Sequence, residues 1–273
     1  MNRLGLAAGA SAVVIAAGSI GVIATRHTRP GPPGTVRAAL PAPQPAPASS
    51  APAPSAPPSA EGPSPGTAVP PPHPPGLGVG DQGPAVTDLQ QRLDGLHYDV
   101  GGVDGQFGYG TEQGVIAFQK VKGLARTGRA TDDVLAALSG AAQPPPLVPG
   151  GGSDRVEIDL ARQVLFLYKG GSLARTIMIS TGSGRHYCEK GDCGDAVTPS
   201  GSYRVGAKIL GLHISPLGEL WNPLFFNRGI AIHGSPSVPT YPASHGCVRI
   251  PMSDSGWFFE QVPSGTPVYV LRG

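Results

Sequence analysis

Residues 232–250 read Ile232-His-Gly-Ser-Pro-Ser-Val-Pro-Thr-Tyr-Pro-Ala-Ser-His-Gly-Cys-Val-Arg-Ile250. Two of the seven histidines and one of the three cysteines fall in this short span. A thiol attacks a carbonyl only as the thiolate, so it needs an imidazole or another positive group nearby. Ile230 and Ile232 alternate with small residues, which predicts a strand over residues 229–233 that delivers His233 at its end. Residues 244–250 read as a second strand, where side chains two apart share a face. His245, Cys247 and Arg249 are thus expected to point the same way, with Gly246 leaving the backbone open beside the sulfur. The intervening residues 234–243, rich in Pro and Gly, form a loop long enough to bring His233 back over Cys247. The residue types alone admit two other readings. His233, His245 and Cys247 could ligate zinc with water in the fourth position, or Cys247 could be an inert buried thiol.

His233-Gly234, a loop, and then Ser244-His245-Gly246-Cys247-Val248-Arg249 resemble the signature of the L,D-transpeptidases of bacterial cell walls. Asp159-x-x-x-x-Gln163, Ser180-Thr181-Gly182 and Thr198-Pro199-x-Gly201 match the same family. The loop is shorter than in many members. The resemblance implies that Cys247 is the nucleophile, His233 its base and Gly234 the carbonyl that orients the imidazole. It places His245 in the catalytic site and Ser244, Gly246 and Arg249 against substrate, with backbone N–H groups around Gly246 and Cys247 as the oxyanion hole. It implies no metal and no organic cofactor. Its substrate is a peptidoglycan stem tetrapeptide, whose acyl group passes through a thioester to a neighbouring amine. A hydrolase that uses water as acceptor, an L,D-carboxypeptidase, and a non-catalytic wall-binding protein are the alternatives.

The rest of the chain fits an exported protein of several parts. Its 273 residues allow about two ordered domains beside a tail and linker. With 20 basic and 18 acidic residues the charge is nearly balanced, which gives no footing for a nucleic-acid partner. Residues 1–28 carry an uncharged apolar run from 4 to 25, longer than a signal-peptide core and near the ~20 residues that span a bilayer. This segment is expected to be a signal peptide or a membrane anchor. Arg26 and Arg29 just beyond the run favour export over anchoring. Residues 29–76 are Pro, Ala, Ser and Gly and hold more than half of the 32 prolines. Such a composition is expected to stay disordered and extended, as a spacer reaching on the order of 140 Å. The membrane is thus met only through the N-terminal segment, and the expected location is extracytoplasmic, at the cell wall.

Residues 77–140 read as a three-helix module. Val86, Leu89 and Leu93 recur at helical spacing behind Pro84. Thr111 is placed to cap a second helix carrying Val115 and Phe118, and Thr131 a third carrying Val134, Leu135 and Leu138. The pattern Gly80-Asp81-x-Gly83, Leu89-Gln90, Val103-Asp104-Gly105-x-Phe107-Gly108, Phe118-Gln119 and Gly123-Leu124 resembles the three-helix peptidoglycan-binding module. Gly114, where that family usually has Ala, is expected only to weaken its helix by about 1 kcal/mol. Residues 141–152 are a second Pro/Gly linker. Residues 153–273 alternate apolar and polar over many short runs broken by turns, which predicts a mostly-β, sandwich-like domain. Ser253 is placed to cap one helix there, and residues 267–271 form the last strand. His97, His186 and His213 lack a partner at useful spacing; of these, His213 is placed to approach the cleft. With Cys247 held free as nucleophile in an exported protein, the two remaining cysteines, Cys188 and Cys193, are expected to pair. Two free thiols, or a metal clip with His186, are the other readings.

Overall fold

The computed structural model describes residues 75–272. The segment 1–28 and all but the last two residues of the spacer 29–76 lie outside the described residues. The chain divides into units Met1–Gly66 and Thr67–Gly273, and everything described belongs to the second. Among the described residues no helix is long and apolar enough to cross a membrane.

Three helices open the described chain: α1 (Pro84–Gly95), α2 (Tyr109–Lys122) and α3 (Asp132–Ser139). Pro84 starts α1, where its missing N–H costs nothing. Val86, Leu89, Leu93, Val115, Phe118, Val134 and Leu138 are buried together, as their spacing predicts. Thr111 does not cap α2. The helix begins two residues earlier, behind Gly108, and Thr111 is buried in its first turn. There its Oγ1 accepts from Gln90 Nε2 at 2.9 Å. The same amide donates to Asp104 and accepts from the Asp104 and Gly105 N–H groups, so one buried glutamine ties α1 to the turn before α2. Thr131 sits at the N-cap of α3, but its side chain makes no capping bond.

Gly114 has a tighter reason than its composition suggested. A Cβ there would stand 2.5 Å from the Asp99 carbonyl oxygen and 2.8 Å from Val100 Cγ1. The loop after α1 crosses α2 at this point, and only a residue without a side chain lets it pass. Gly114→Ala is therefore expected to destabilise the protein by about 1–3 kcal/mol through overpacking, despite alanine's better helix propensity. A urea midpoint at or above the native value would contradict this.

The second part is a β-sandwich. Its strands are β1 (Arg155–Asp159), β2 (Val164–Lys169), β3 (Ser172–Met178), β4 (His186–Glu189), β5 (Asp192–Asp195) and β6 (Gly201–Arg204). There follow β7 (Leu212–Ser215), β8 (Gly218–Asn227), β9 (Ile230–Ser235), β10 (Val248–Pro251), the helix α4 (Met252–Gln261) and β11 (Pro267–Leu271). One sheet has the order β3-β2-β1-β11-β6 and the other β10-β9-β8-β7, while β4 and β5 pair only with each other. Val156, Ile158, Leu165, Leu167, Val268 and Val270 from the first sheet share one core with Leu224, Phe226, Ile232, Val248 and Ile250 from the second. Phe258 of α4 and Val262 just after it close it. Ser253 lies inside α4 rather than at its cap, a position held by Pro251.

Alternation along β1 puts Glu157 and Asp159 on the face away from this core, yet both are buried. Residues 141–152 are the cause. The Leu147 N–H donates to Glu157 Oε2 at 2.7 Å, and Arg155 Nε donates to Oε1 at 2.6 Å. The Arg155 guanidinium in turn lies 3.7 Å from the centre of the Tyr168 ring. A stretch whose composition suggests a loose linker is thus pinned across the sheet by a paired buried carboxylate.

Candidate active site

Parallel pairing of β9 and β10 sets the site. Its register matches Ile232 with Val248 and His233 with Arg249, so Cys247 comes level with Ala231. The Ala231 N–H points at Cys247 Sγ at 3.5 Å, and the thiol faces the Gly229 carbonyl at 3.8 Å. Cys247 is half-buried and is the free cysteine among the described residues.

The second predicted strand is shorter than expected. It starts at Val248, and residues 245–247 are a bend. Gly246 has φ +143°, a region that favours glycine, and its polar groups bind side chains instead of a ladder. The Gly246 N–H donates to Ser244 Oγ at 3.0 Å, and Ser244 Oγ donates to the Cys247 carbonyl at 2.5 Å. Thr198 Oγ1 donates to the Gly246 carbonyl at 2.6 Å and accepts from the Gly182 N–H at 2.9 Å. Alternate-residue logic therefore does not govern His245 and Cys247. They nevertheless line one cleft of about 640 Å³, together with His233, Ser244, Gly246 and Arg249. Gly234 is not on its wall. It lies behind, where a Cβ would come 2.5 Å from Ser255 Cβ of α4.

The Gly234 carbonyl lies 2.9 Å from His233 Nδ1. A carbonyl only accepts, so Nδ1 carries the hydrogen and Nε2 keeps the lone pair. His233 is 5% exposed. Burial drives its pKa down to about 4, with Arg249 adding to the fall and the Gly234 carbonyl opposing it. Burial pushes the Cys247 thiol up, opposed by the Ala231 N–H and the Arg249 charge. At neutral pH the resting pair is therefore a thiol and a neutral imidazole, not an ion pair.

The other family-like motifs buttress this turn. Gln163 Nε2 donates to Thr181 Oγ1 at 2.7 Å, and its Oε1 accepts the Thr181 N–H at 2.9 Å. The Thr181 carbonyl accepts from the Ala243 and Ser244 N–H groups, and Ser180 exchanges both backbone bonds with Arg249. Gly182 is forced, since a Cβ would stand 2.3 Å from the Ala196 carbonyl oxygen.

Sequence reasoning expected the Cys188–Cys193 pair and the approach of His213, but missed Tyr187, Asp192 and Glu219 on the cleft wall. Cys188 and Cys193 are joined by a disulfide across the β4–β5 hairpin. The hairpin sets Tyr187 edge-on to His245, with ring centres 4.8 Å apart, and Glu189 Oε1 3.1 Å from His245 Nε2. Tyr187 and Asp192 also line the cleft, as do Glu219 and His213, the latter edge-on to Phe225. His186 does have a partner, Asp195, at 3.0 Å, supplied by hairpin register rather than sequence spacing. Only the odd-cysteine arithmetic pointed toward this wall. Because β4 and β5 join neither large sheet, cutting the disulfide is expected to cost about 2 kcal/mol or less of stability. It is also expected to lower turnover several-fold by freeing His245, as activity and melting temperature with and without dithiothreitol would show. Among the described residues, no three His, Cys, Asp or Glu side chains converge as a metal-ligand set. His245 is directed to Glu189 and His233 Nδ1 to a carbonyl.

A family model of the L,D-transpeptidase catalytic domain (YkuD) matches residues 153–270, and a peptidoglycan binding domain model matches residues 82–138. The crystal structure of an L,D-transpeptidase from Xylanimonas cellulosilytica DSM 15894 is similar at 41% identity and a TM-score of 0.69, covering 74% of this chain and 100% of that one. An L,D-transpeptidase (Yku) from Stackebrandtia nassauensis matches at 24% identity and a TM-score of 0.41, over 73% of this chain and 97% of that one. No curated protein matches the chain. A helical peptidoglycan-binding region ahead of a mostly-β catalytic domain defines a protein built to work on peptidoglycan, outside the cytoplasmic membrane. The chain belongs to the L,D-transpeptidase family.

Proposed function

We propose that this protein cross-links peptidoglycan stem peptides as an acyltransferase with Cys247 as nucleophile. One observation carries the reading: a half-buried free thiol shares a cleft with an imidazole whose Nδ1–H is locked on a carbonyl. That lock leaves His233 Nε2 as the base. Cys247 Sγ attacks the carbonyl between the L-centre of the diamino acid and the terminal D-alanine, while its proton passes to His233. The tetrahedral oxyanion collapses, the C–N bond breaks, and His233 returns the proton to the departing D-alanine amine. A side-chain amine of a second stem then attacks the thioester and gives its proton to His233. The sulfur leaves and takes that proton back. One amide replaces another, so the reaction needs no ATP, metal or organic cofactor.

Arg249 favours the sulfur's negative charge as it develops and meets the substrate in the cleft. The Gly246 N–H is already committed to Ser244, so the Cys247 N–H is the amide we assign to the oxyanion. Ser244, buried with its hydroxyl engaged on both sides, holds the nucleophile's turn, and Gly246 allows that turn its φ. His245 forms the wall opposite. Residues 77–140 bind glycan and stem peptide, and residues 1–28 direct export as signal peptide or anchor, with 29–76 as spacer. Incubation of the purified protein with stem tetrapeptide, read by product mass, tests the reading. A cross-linked dimer supports it. A tripeptide alone makes the protein an L,D-carboxypeptidase, and unchanged substrate makes it a wall-binding protein.

A further inference from the structure

The helical module meets the β-sandwich at the segments that carry the nucleophile. Lys120, in the last turn of α2, is 2% exposed. Its ammonium donates to the carbonyls of Gln163 at 3.0 Å and Ile179 at 2.8 Å, both in the other domain. Burying an ammonium is costly without such bonds, so the site is held closely or not at all. Ile179 precedes Ser180, which pairs with Arg249, and Gln163 grips Thr181, which pairs with Ser244. Ser244 in turn bonds the Cys247 carbonyl. Hydrogen bonds and single peptide steps thus run unbroken from the module to the sulfur-bearing residue.

A second contact reaches the loop between His233 and Cys247 directly. Arg126 Nη1 donates to the Thr240 carbonyl at 2.7 Å. Val238, two residues earlier, is buried in the module's own apolar cluster with Phe118 and Val115. Ser180 Oγ donates to the Tyr241 carbonyl at 2.7 Å, closing the same loop onto the end of β3. Elsewhere between the two parts, Arg175 of β3 joins Asp99 of the module to Asp254 of α4. Such an interface is more than a tether needs.

We infer that the helical module is a structural part of the catalytic centre, with Lys120 and Arg126 as positioning residues that hold residues 236–247 and so place Cys247. A module that only tethers the enzyme would raise local substrate concentration on polymer and leave turnover of a small soluble substrate unchanged. A module that positions the nucleophile alters kcat even where there is no polymer to bind, since small displacements of a reacting group cost large factors in rate.

The inference rests on the proposed function only for its kinetic readout. The test uses the full chain and its Arg126→Ala, Arg126→Lys and Lys120→Met variants. Three quantities are measured: kcat and KM on soluble stem tetrapeptide, retention on isolated sacculi, and amide hydrogen exchange in residues 236–247. Arg126→Ala is expected to lower kcat roughly tenfold, with KM and sacculus retention unchanged and exchange in 236–247 faster. Arg126→Lys is expected to recover part of kcat. An Arg126→Ala protein with native kcat and native exchange would overturn the inference. Should Lys120→Met fail to fold, Arg126→Ala decides, because that side chain is only half-buried. If the native protein turned over no tetrapeptide, the proposed function would fall, and exchange in 236–247 would still judge the positioning role.

Discussion

Cys247→Ala is expected to abolish turnover of stem tetrapeptide, and His233→Ala to lower it by roughly 10³-fold. The double variant is expected to be no worse than Cys247→Ala, because the two groups act as one unit and their losses do not add. The physical reason lies in the resting protonation. Burial holds the thiol up and the imidazole down, so almost no thiolate exists before substrate arrives. In the proposed mechanism attack is therefore coupled to proton transfer onto His233 Nε2, and without that acceptor the sulfur is a poor nucleophile. In proteins that store a ready thiolate, loss of the partner is milder at high pH. Here His233→Ala is expected to recover only as the medium itself deprotonates the thiol, above its ordinary titration range. Circular dichroism of each variant checks that the fold is kept. Activity that survived Cys247→Ala but not a chelator would replace this mechanism with a metal-based one.

The parts of this site that were legible in the sequence are those where chemistry and chain order coincide. His233-Gly234 and Ser244-His245-Gly246-Cys247 put the proposed base, its carbonyl partner and the thiol within one short stretch, and β9 beside β10 sets that stretch's two ends side by side. Period-two reasoning succeeded where ladder bonds rule, as for Ile230 and Ile232. At His245 and Cys247 its outcome held, since both line the cleft with Arg249, but the strand it assumed is a bend where side-chain hydroxyls take over the backbone groups. It failed at Glu157, because alternation reports which side a residue faces and not what lies on that side. Residues 141–152 cover it from outside the strand. The Gly114 misreading has the same origin, since a helix-propensity argument cannot see the loop that crosses at Asp99. Least legible was the seam between module and sandwich. Lys120 sits in an ordinary helical pattern, and nothing in its neighbours in sequence announces that its ammonium ends on two carbonyls more than forty residues away.

The acid limb of kcat/KM is expected near pH 4, well below the ~6.5 of an ordinary histidine. In the proposed mechanism the free enzyme needs His233 neutral to accept the thiol proton, and burial keeps it so down to that pH. At pH 5 an ordinary imidazole would be only about 3% neutral, whereas His233 is expected to be about 90% neutral, roughly a thirtyfold difference in competent enzyme. The same shift has a stability consequence of definite sign. In the unfolded chain His233 takes up a proton below pH ~6.5, but in the native protein only below about 4. Across that window the unfolded state binds more protons, so native stability falls as pH falls, by roughly 3 kcal/mol from this residue, and levels off below pH 4. Asp254 works in the opposite direction. Burial, and then the hydrogen bond and charge of Asp99, hold its carboxyl well above the usual range, so the native state keeps that proton and gains stability on acidification. The measured curve sums such terms, and the difference between native protein and His233→Gln isolates the histidine. The stability of the native protein relative to His233→Gln is expected to be constant above pH 7 and to fall by roughly 3 kcal/mol on going down to pH 4. An acid limb at pH 6.5, with no pH-dependent difference between the two stability curves, would mean that His233 is hydrated in solution and that the cleft is open where the structure closes it.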